Sequence, residues 1–273
     1  MSALSISNVF LSSVIPASAR LAFIDDAKAS ILSMPSVMPK SMCGDWHRHG
    51  KGQLIYPRKG RCRIYTHDRV WVGSPRKAIW IPAGVEHTLQ AIDQLNVHNI
   101  YIDTLAIDGL SKVSHLVIVT ALLDELLEFS NNLPVHASHY KCTYWHALNL
   151  IVDLIRLSTD VITPTLPLSG DRRLRTIMEA LINDPGNDQS LEQWACIACS
   201  SSRTIARLFV SETGMTFRQW RQHLRVVEAI SHLDDGCSIS QTAYDLGYTS
   251  QSSFTAMFRR ITGCSPTEFL QSN

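Results

Sequence analysis

From Asp171 to the end this chain has no lysine. Ten arginines there face eleven acidic residues, so that region carries a formal net charge of −1. A domain-wide basic field, of the kind that holds nucleic acid through its phosphates alone, is excluded. Long apolar runs are missing as well. No stretch approaches the roughly 20 residues a membrane helix needs, so neither a span nor a membrane partner is expected. Cysteine is scattered and odd in number. Cys43, Cys62, Cys142, Cys196, Cys199, Cys237 and Cys264 argue against a disulfide framework and for reduced thiols in a cytoplasmic chain. Cys196-x-x-Cys199 has zinc or redox spacing but no second pair nearby, and reads as ordinary core and turn thiols. Phe10 to Ala19 imitates a signal peptide, yet no Lys or Arg precedes it and its apolar core is short and serine-rich, so no leader is expected.

What is present is 45% hydrophobic content over 273 residues, which excludes global disorder and leaves room for two domains with their own cores. The most informative stretch is Ser190 to Leu270, because it repeats. At an offset of 48, Ser190, Gln193 and Ala195 fall on Ser238, Gln241 and Ala243. At 49, Phe209, Thr213, Gly214 and Trp220 fall on Phe258, Thr262, Gly263 and Phe269. One extra residue therefore sits between Leu246 and Phe254.

Each copy opens with a capping-box pattern, Ser190 to Gln193 and Ser238 to Gln241, and so starts a short helix. A break follows at Ala198 to Ser201 and at Leu246 to Thr249. A second helix then carries apolar residues at helical spacing, Ile205, Leu208 and Phe209 in one copy and Phe254, Met257 and Phe258 in the other. Helix, short turn, helix is a DNA-reading unit. The outward positions of the second helices are Ser202, Arg203, Ala206 and Arg207, then Gln251, Ser252, Ser253 and Thr255 with Arg259 and Arg260 at the far end. Gln219 follows on the next helix. Guanidinium, amide and hydroxyl groups can address base edges and phosphates in a major groove. A plain helical hairpin with a solvated polar face is the competing reading, and two copies in fixed register weigh against it. The remaining positive charge is local, with Arg218, Arg221 and Arg225 on the next helix.

The run from Ala195 through Ser201, Arg203, Ile205, Arg207 and Phe209 to Gly214, followed by Ile239, Ala243, Leu246-Gly247-Tyr248, Ser250, Phe254, Phe258-Arg259-Arg260, Gly263 and Ser265-Pro266, resembles the double helix-turn-helix domain of the AraC/XylS transcriptional regulators. The resemblance covers about a hundred residues. It departs at Cys199, where the family usually has glycine, and at Ala256, where a basic residue is often found. It implies a sequence-specific DNA-binding regulator of a nearby operon, not an enzyme, with double-stranded operator DNA and a small-molecule effector as partners.

Between Cys43 and Asp103 the texture changes to short apolar runs separated by turn residues: Gln53–Tyr56, Arg61–Tyr65, Val70–Val72, Ala78–Ile81 and Val97–Ile102. Such spacing reads as a β-sandwich or small barrel. Residues 1 to about 40 read as an arm or an early strand pair. His47-x-His49-x-x-x-Gln53, then Gly60, then Pro82-Ala-Gly84-Val-Glu-His87, resembles the two motifs of cupins, with Gln53 where a glutamate is usual. On a strand His47 and His49 share one face, and a barrel brings His87 beside them. These four residues form the expected effector pocket. No cofactor is required by the pattern, but three imidazoles and an amide oxygen suit a divalent transition metal held by His47, His49 and His87. The alternatives are a relic barrel that uses the same residues for hydrogen bonds, or a metal-dependent cupin enzyme with a helical appendage.

Leu110–Leu133 and Tyr140–Leu157 carry apolar residues at helical spacing, and suit either packing on the barrel or a homodimer seam. The expected organisation is a cupin-like effector and dimerisation domain with a helical connector over 1–158, a linker over 159–170, and an all-α DNA-binding domain over 171–273. That domain opens with a helix whose Leu174, Ile177, Met178 and Leu181 face inward.

Overall fold

The computed structural model describes residues 17–132, 141–158 and 165–272. They divide into two compact units, one from the described residues within 1–64 and 73–162, the other from those within 65–72 and 163–273. The signal-like stretch lies largely outside the described residues. The described residues open with helix α1 (Ala17–Asp26) and strand β1 (Ile31–Met38), followed by β2 (Gly52–Lys59), β3 (Cys62–Thr66), β4 (Arg69–Gly73), β5 (Lys77–Ile81), β6 (His87–Ala91), β7 (Leu95–Ile102) and β8 (His115–Ile118). Helices α2 (Ala121–Asn132) and α3 (Lys141–Leu157) and the short strand β9 (Leu166–Pro167) complete the first part of the chain.

The strands expected to build a β-sandwich or small barrel form two sheets, a five-stranded one in the order β1-β7-β2-β5-β8 and a four-stranded one in the order β6-β3-β4-β9. The larger sheet keeps two edges. One is β1, whose Pro35 an edge position tolerates. Side-chain alternation then assigns the two faces of this sheet. Leu54, Tyr56, Ala78, Trp80, Ile100 and Ile102 join Leu123 and Leu127 of α2 and Leu148, Ile151, Val152 and Ile155 of α3 in one apolar cluster. Each fully buried side chain of this kind contributes roughly 1.5–3 kcal/mol. The opposite parity puts Gln53, Asn99 and Tyr101 on the other face, where they bond to one another. Gly52 is required here, since a Cβ on it would lie 2.4 Å from Cη2 of Trp80.

One expected helix splits. Within Leu110–Leu133, His115–Ile118 is strand β8, paired with β5 through Ala78↔Val117 and Ile79↔Leu116, and the helix begins only at Ala121. Four residues are too few to display a strand's alternation, and Leu116 and Val119 fell by chance on the helical spacing. Of the expected linker, residues 159–164 lie outside the described residues. Beyond them Leu166 and Pro167 pair with Val70 and Arg69, and Leu166 and Leu168 are buried.

The second unit contains α4 (Arg172–Asn183), α5 (Leu191–Ile197), α6 (Ser202–Thr213), α7 (Phe217–Asp234), α8 (Ile239–Asp245), α9 (Gln251–Thr262) and α10 (Pro266–Ser272). Asp171 caps α4 by accepting from the Arg173 amide, and Leu174, Ile177, Met178 and Leu181 are buried as expected. Two cores form. One gathers α4, α5, α6 and the first half of α7, with Phe209, Phe217 and Trp220. The other gathers the second half of α7 with α8, α9 and Phe269, around Phe254 and Phe258. The sequence repeat is thus a repeat of packing: the Phe209 and Trp220 rings are 6.0 Å apart, and their counterparts Phe258 and Phe269 are 5.8 Å apart.

Candidate functional site

The two helix-turn-helix units are built by the same local devices. Ser190 caps α5 in a complete capping box with Gln193. Ser238 caps α8, but this box is half formed, because the Gln241 amide donates to Asp245 at 2.6 Å instead of reaching back. In the turns, Ser200 N donates to Ala195 O and Tyr248 N to Ala243 O, an offset of 48. The next caps, Ser201 and Ser250, are at an offset of 49, so Thr249 is the extra residue. Both turns need a left-handed residue: Gly247 has φ 76°, and Cys199 adopts φ 50° in its place. Both second helices end on a left-handed glycine, Gly214 and Gly263.

With Ile205 and Phe209, or Phe254, Met257 and Phe258, buried beneath them, α6 and α9 present their remaining faces outward. Arg203 and Arg207 are exposed on α6, with Ser202 and Ala206 half-buried beside them. Gln251, Ser252, Ser253, Arg259 and Arg260 are exposed on α9, and Thr255 is half-buried. Two of the expected contact residues have structural partners. The Ser253 hydroxyl donates to the Ser250 carbonyl at 2.8 Å. Gln219 completes a capping box at the start of α7, where its side-chain carbonyl accepts from the Thr216 amide and hydroxyl, each at 2.9 Å.

Arg221 and Arg225 are engaged within the domain itself. Arg221 donates to Gln189 O at 2.9 Å and stacks over Phe217, and burial lowers its pKa. Arg225 donates to the carbonyls of Pro185, Gly186 and Asn187 and lies over the Tyr248 ring. These two side chains hold the loop between α4 and α5 against α7. Helical periodicity places an arginine on a face but does not reveal that backbone carbonyls wait there.

In the first unit the structure brings all four predicted pocket residues together. His47 is not on a strand: it forms an isolated bridge with His87, each amide donating to the other's carbonyl. Ring nitrogens of His47, His49 and His87 lie within 4.8 Å of one another. Each ring is oriented by a backbone carbonyl two residues away: His47 Nδ1 lies 2.8 Å from Asp45 O, His49 Nδ1 2.6 Å from Lys51 O, and His87 Nδ1 2.9 Å from Val85 O. Gln53 Oε1 stands 2.9 Å from His49 Nε2 and 3.0 Å from His87 Nε2. Burial lowers the pKa of His49 and pushes that of His87 down to about 3, with the neighbouring histidines adding to the effect. Asn99 and Tyr101, which accept from the Gln53 amide nitrogen at 2.9 and 3.2 Å, belong to the site and were missed. Their signal was that Asn99 and Tyr101 share one face of β7 by strand alternation.

Two family models match the chain, a helix-turn-helix domain over residues 194–272 and an AraC-like ligand binding domain over residues 41–128. The HTH-type transcriptional regulator NimR of Escherichia coli is 30% identical over 230 residues, which cover 82% of this chain and 81% of NimR. The chain belongs to the AraC family of transcriptional regulators. As in that family, the regulator joins a ligand-binding domain, which holds His47, His49, Gln53 and His87, to a DNA-binding domain, which holds α6 and α9. Its partners are DNA and a small-molecule ligand. RipA of Corynebacterium glutamicum is 41% identical over 117 residues, 43% of this chain and 35% of RipA. The structure of ToxT from Vibrio cholerae matches at 15% identity with a TM-score of 0.37, covering 89% of this chain and 98% of ToxT. Among the described residues no helix is long and apolar enough to cross a membrane.

Proposed function

We infer that this regulator reads a specific operator with α6 and α9, works in the cytoplasm as a homodimer, and answers a small molecule received at the His47, His49, Gln53 and His87 site. The observation that carries the reading is one of position. Arg203 and Arg207 on α6, and Gln251, Ser252 and Arg259 on α9, stand exposed on helices whose opposite faces are buried in equivalent cores. Without a net positive charge, the domain gains little from phosphates as a whole, so base contacts and a second protomer must supply more of its affinity. Leu122, Phe129 and Leu150, exposed apolar residues of α2 and α3, suit the dimer seam. A sensor is favoured over a catalyst because the hydrogen-bond partners of the three rings are backbone carbonyls and one amide, with no nucleophile among them.

The test is retention of DNA fragments from the neighbourhood of the regulator's own gene, followed by footprinting. One fragment should be held at physiological salt, with protection in successive major grooves about 34 Å apart. Equal retention of every duplex, with a steep salt dependence, would sink the reading.

A further inference from the structure

The hydrogen-bond donors and acceptors of the histidine cluster do not balance. A carbonyl oxygen only accepts, so the contacts to Asp45, Lys51 and Val85 place the proton of each ring on Nδ1 and leave a lone pair on each Nε2. The Gln53 amide is oriented just as firmly. Asn99 Nδ2 donates to the Met34 carbonyl at 3.2 Å, which makes Asn99 Oδ1 the acceptor for Gln53 Nε2 and turns Gln53 Oε1 toward the rings. Three acceptor atoms, Nε2 of His49, Nε2 of His87 and Oε1 of Gln53, therefore meet at 2.9 and 3.0 Å with no proton between them. Protonating both rings instead would put two imidazolium ions with centroids 5.3 Å apart at 4% and 1% exposure, an arrangement that burial opposes.

We propose that this cluster is a binding site for one divalent first-row transition metal ion, held by Nε2 of His47, His49 and His87 and by Oε1 of Gln53. A cation is the species that satisfies converging lone pairs. Metal–ligand bonds of about 2.0–2.1 Å give a tetrahedron with edges of about 3.4 Å, so the 2.9 and 3.0 Å separations already approach such an edge. One ring nitrogen from each histidine lies within 4.8 Å of the other two, so a single ion can draw them together. Imidazole donors select zinc, nickel or cobalt over magnesium and calcium, which prefer oxygen. The outer contacts are those of a metal site too: each ring gives its other N–H to a backbone carbonyl, and the amide ligand is fixed by Asn99 and Tyr101. Gln53 rather than a glutamate suits this surrounding, because its NH2 group is what Asn99 and Tyr101 receive. The half-buried His47 is the member nearest solvent.

The metal site deepens the effector reading and rests on it only for regulation. Full-length protein, stripped with a chelator, is titrated with cobalt(II) and with zinc(II) in excess magnesium. One ion per chain should bind, with the visible absorption of four-coordinate cobalt, and millimolar magnesium should not compete. His49→Ala and His87→Ala should each weaken binding by at least about tenfold. His47→Ala should do the same with the least risk to the fold, since that ring is half-buried and is held by the Asp45 carbonyl. Folded wild-type protein that binds neither ion stoichiometrically, or a folded His47→Ala variant with unchanged affinity, would overturn the site. Operator retention with and without zinc is a separate readout: no change there defeats the regulatory reading while the cobalt spectrum still decides the site.

Discussion

Gly247 meets Gly186 so closely that a Cβ on Gly247 would lie 2.4 Å from the Gly186 carbonyl oxygen. The turn of the second helix-turn-helix therefore rests directly on the loop between α4 and α5. Gly247→Ala combines a left-handed backbone penalty of about 1–2 kcal/mol with a clash against backbone worth about 1–3 kcal/mol. Gly263→Ala carries the first term alone, since nothing lies within 4 Å of its Cβ direction. Urea denaturation should find Gly247→Ala the more destabilised of the two. Equal losses would show that the loop yields.

Cys199 holds a left-handed conformation, φ 50°, where the other copy has a glycine. Cys199→Gly should relieve that strain. Part of the gain is offset by the greater freedom of the unfolded chain, so the net rise in stability should be up to about 1 kcal/mol. Operator affinity should not change.

Arg203 and Arg225 should separate cleanly. Arg203→Ala and Arg207→Ala are each expected to cost about 1–3 kcal/mol of operator binding with the thermal midpoint unmoved. Arg225→Ala abandons three backbone carbonyls and should lower the midpoint. Calorimetry beside mobility assays checks both arms.

Much of this was legible in the sequence. The duplicated capping serines, the glycines Gly214 and Gly263 and the strands from β2 to β5 and β7 follow from local chemistry, and the convergence of His47, His49, Gln53 and His87 from the resemblance to the cupin motifs. Strand β8 did not, since four apolar-rich residues carry no period of their own. Nor did the work of Arg221 and Arg225, whose partners are backbone carbonyls of a loop more than thirty residues away. The second capping box failed for a similar reason: Asp245, one turn on, outcompeted the Ser238 amide for Gln241.

Asp171 ties acid stability to the start of α4. Arg173, by its side chain and its amide, holds the Asp171 carboxyl at about 2, below its ordinary 3.8. A folded-state pKa below the unfolded one means stability that is present above about pH 4 and lost as the pH falls toward 2. Removing the cap with Asp171→Ala should cost about 1 kcal/mol near neutrality. That difference should shrink between pH 4 and 2, which denaturation at a series of pH values can follow.

Dimerisation is tested on α2. Leu122 is 53% exposed and Leu126 partly packs on the core, so Leu122→Lys is the cleaner probe. Buried in a seam, the lysine should give monomers in sedimentation at concentrations where the wild type pairs. Unchanged sedimentation would mean that α2 and α3 only cover the sheet.

A single unbroken helix, α7, belongs to both cores: Phe217, Trp220 and Leu224 to one, Val226, Ala229, Ile230 and Leu233 to the other. At 18 residues it is about 27 Å long, and each added residue would turn one end by about 100° relative to the other. The phase between α6 and α9 is thus an integer property of the chain, set by the number of residues in one rod. A DNA duplex has no such lock, so where its groove spacing and this rod disagree, the duplex is the partner that bends.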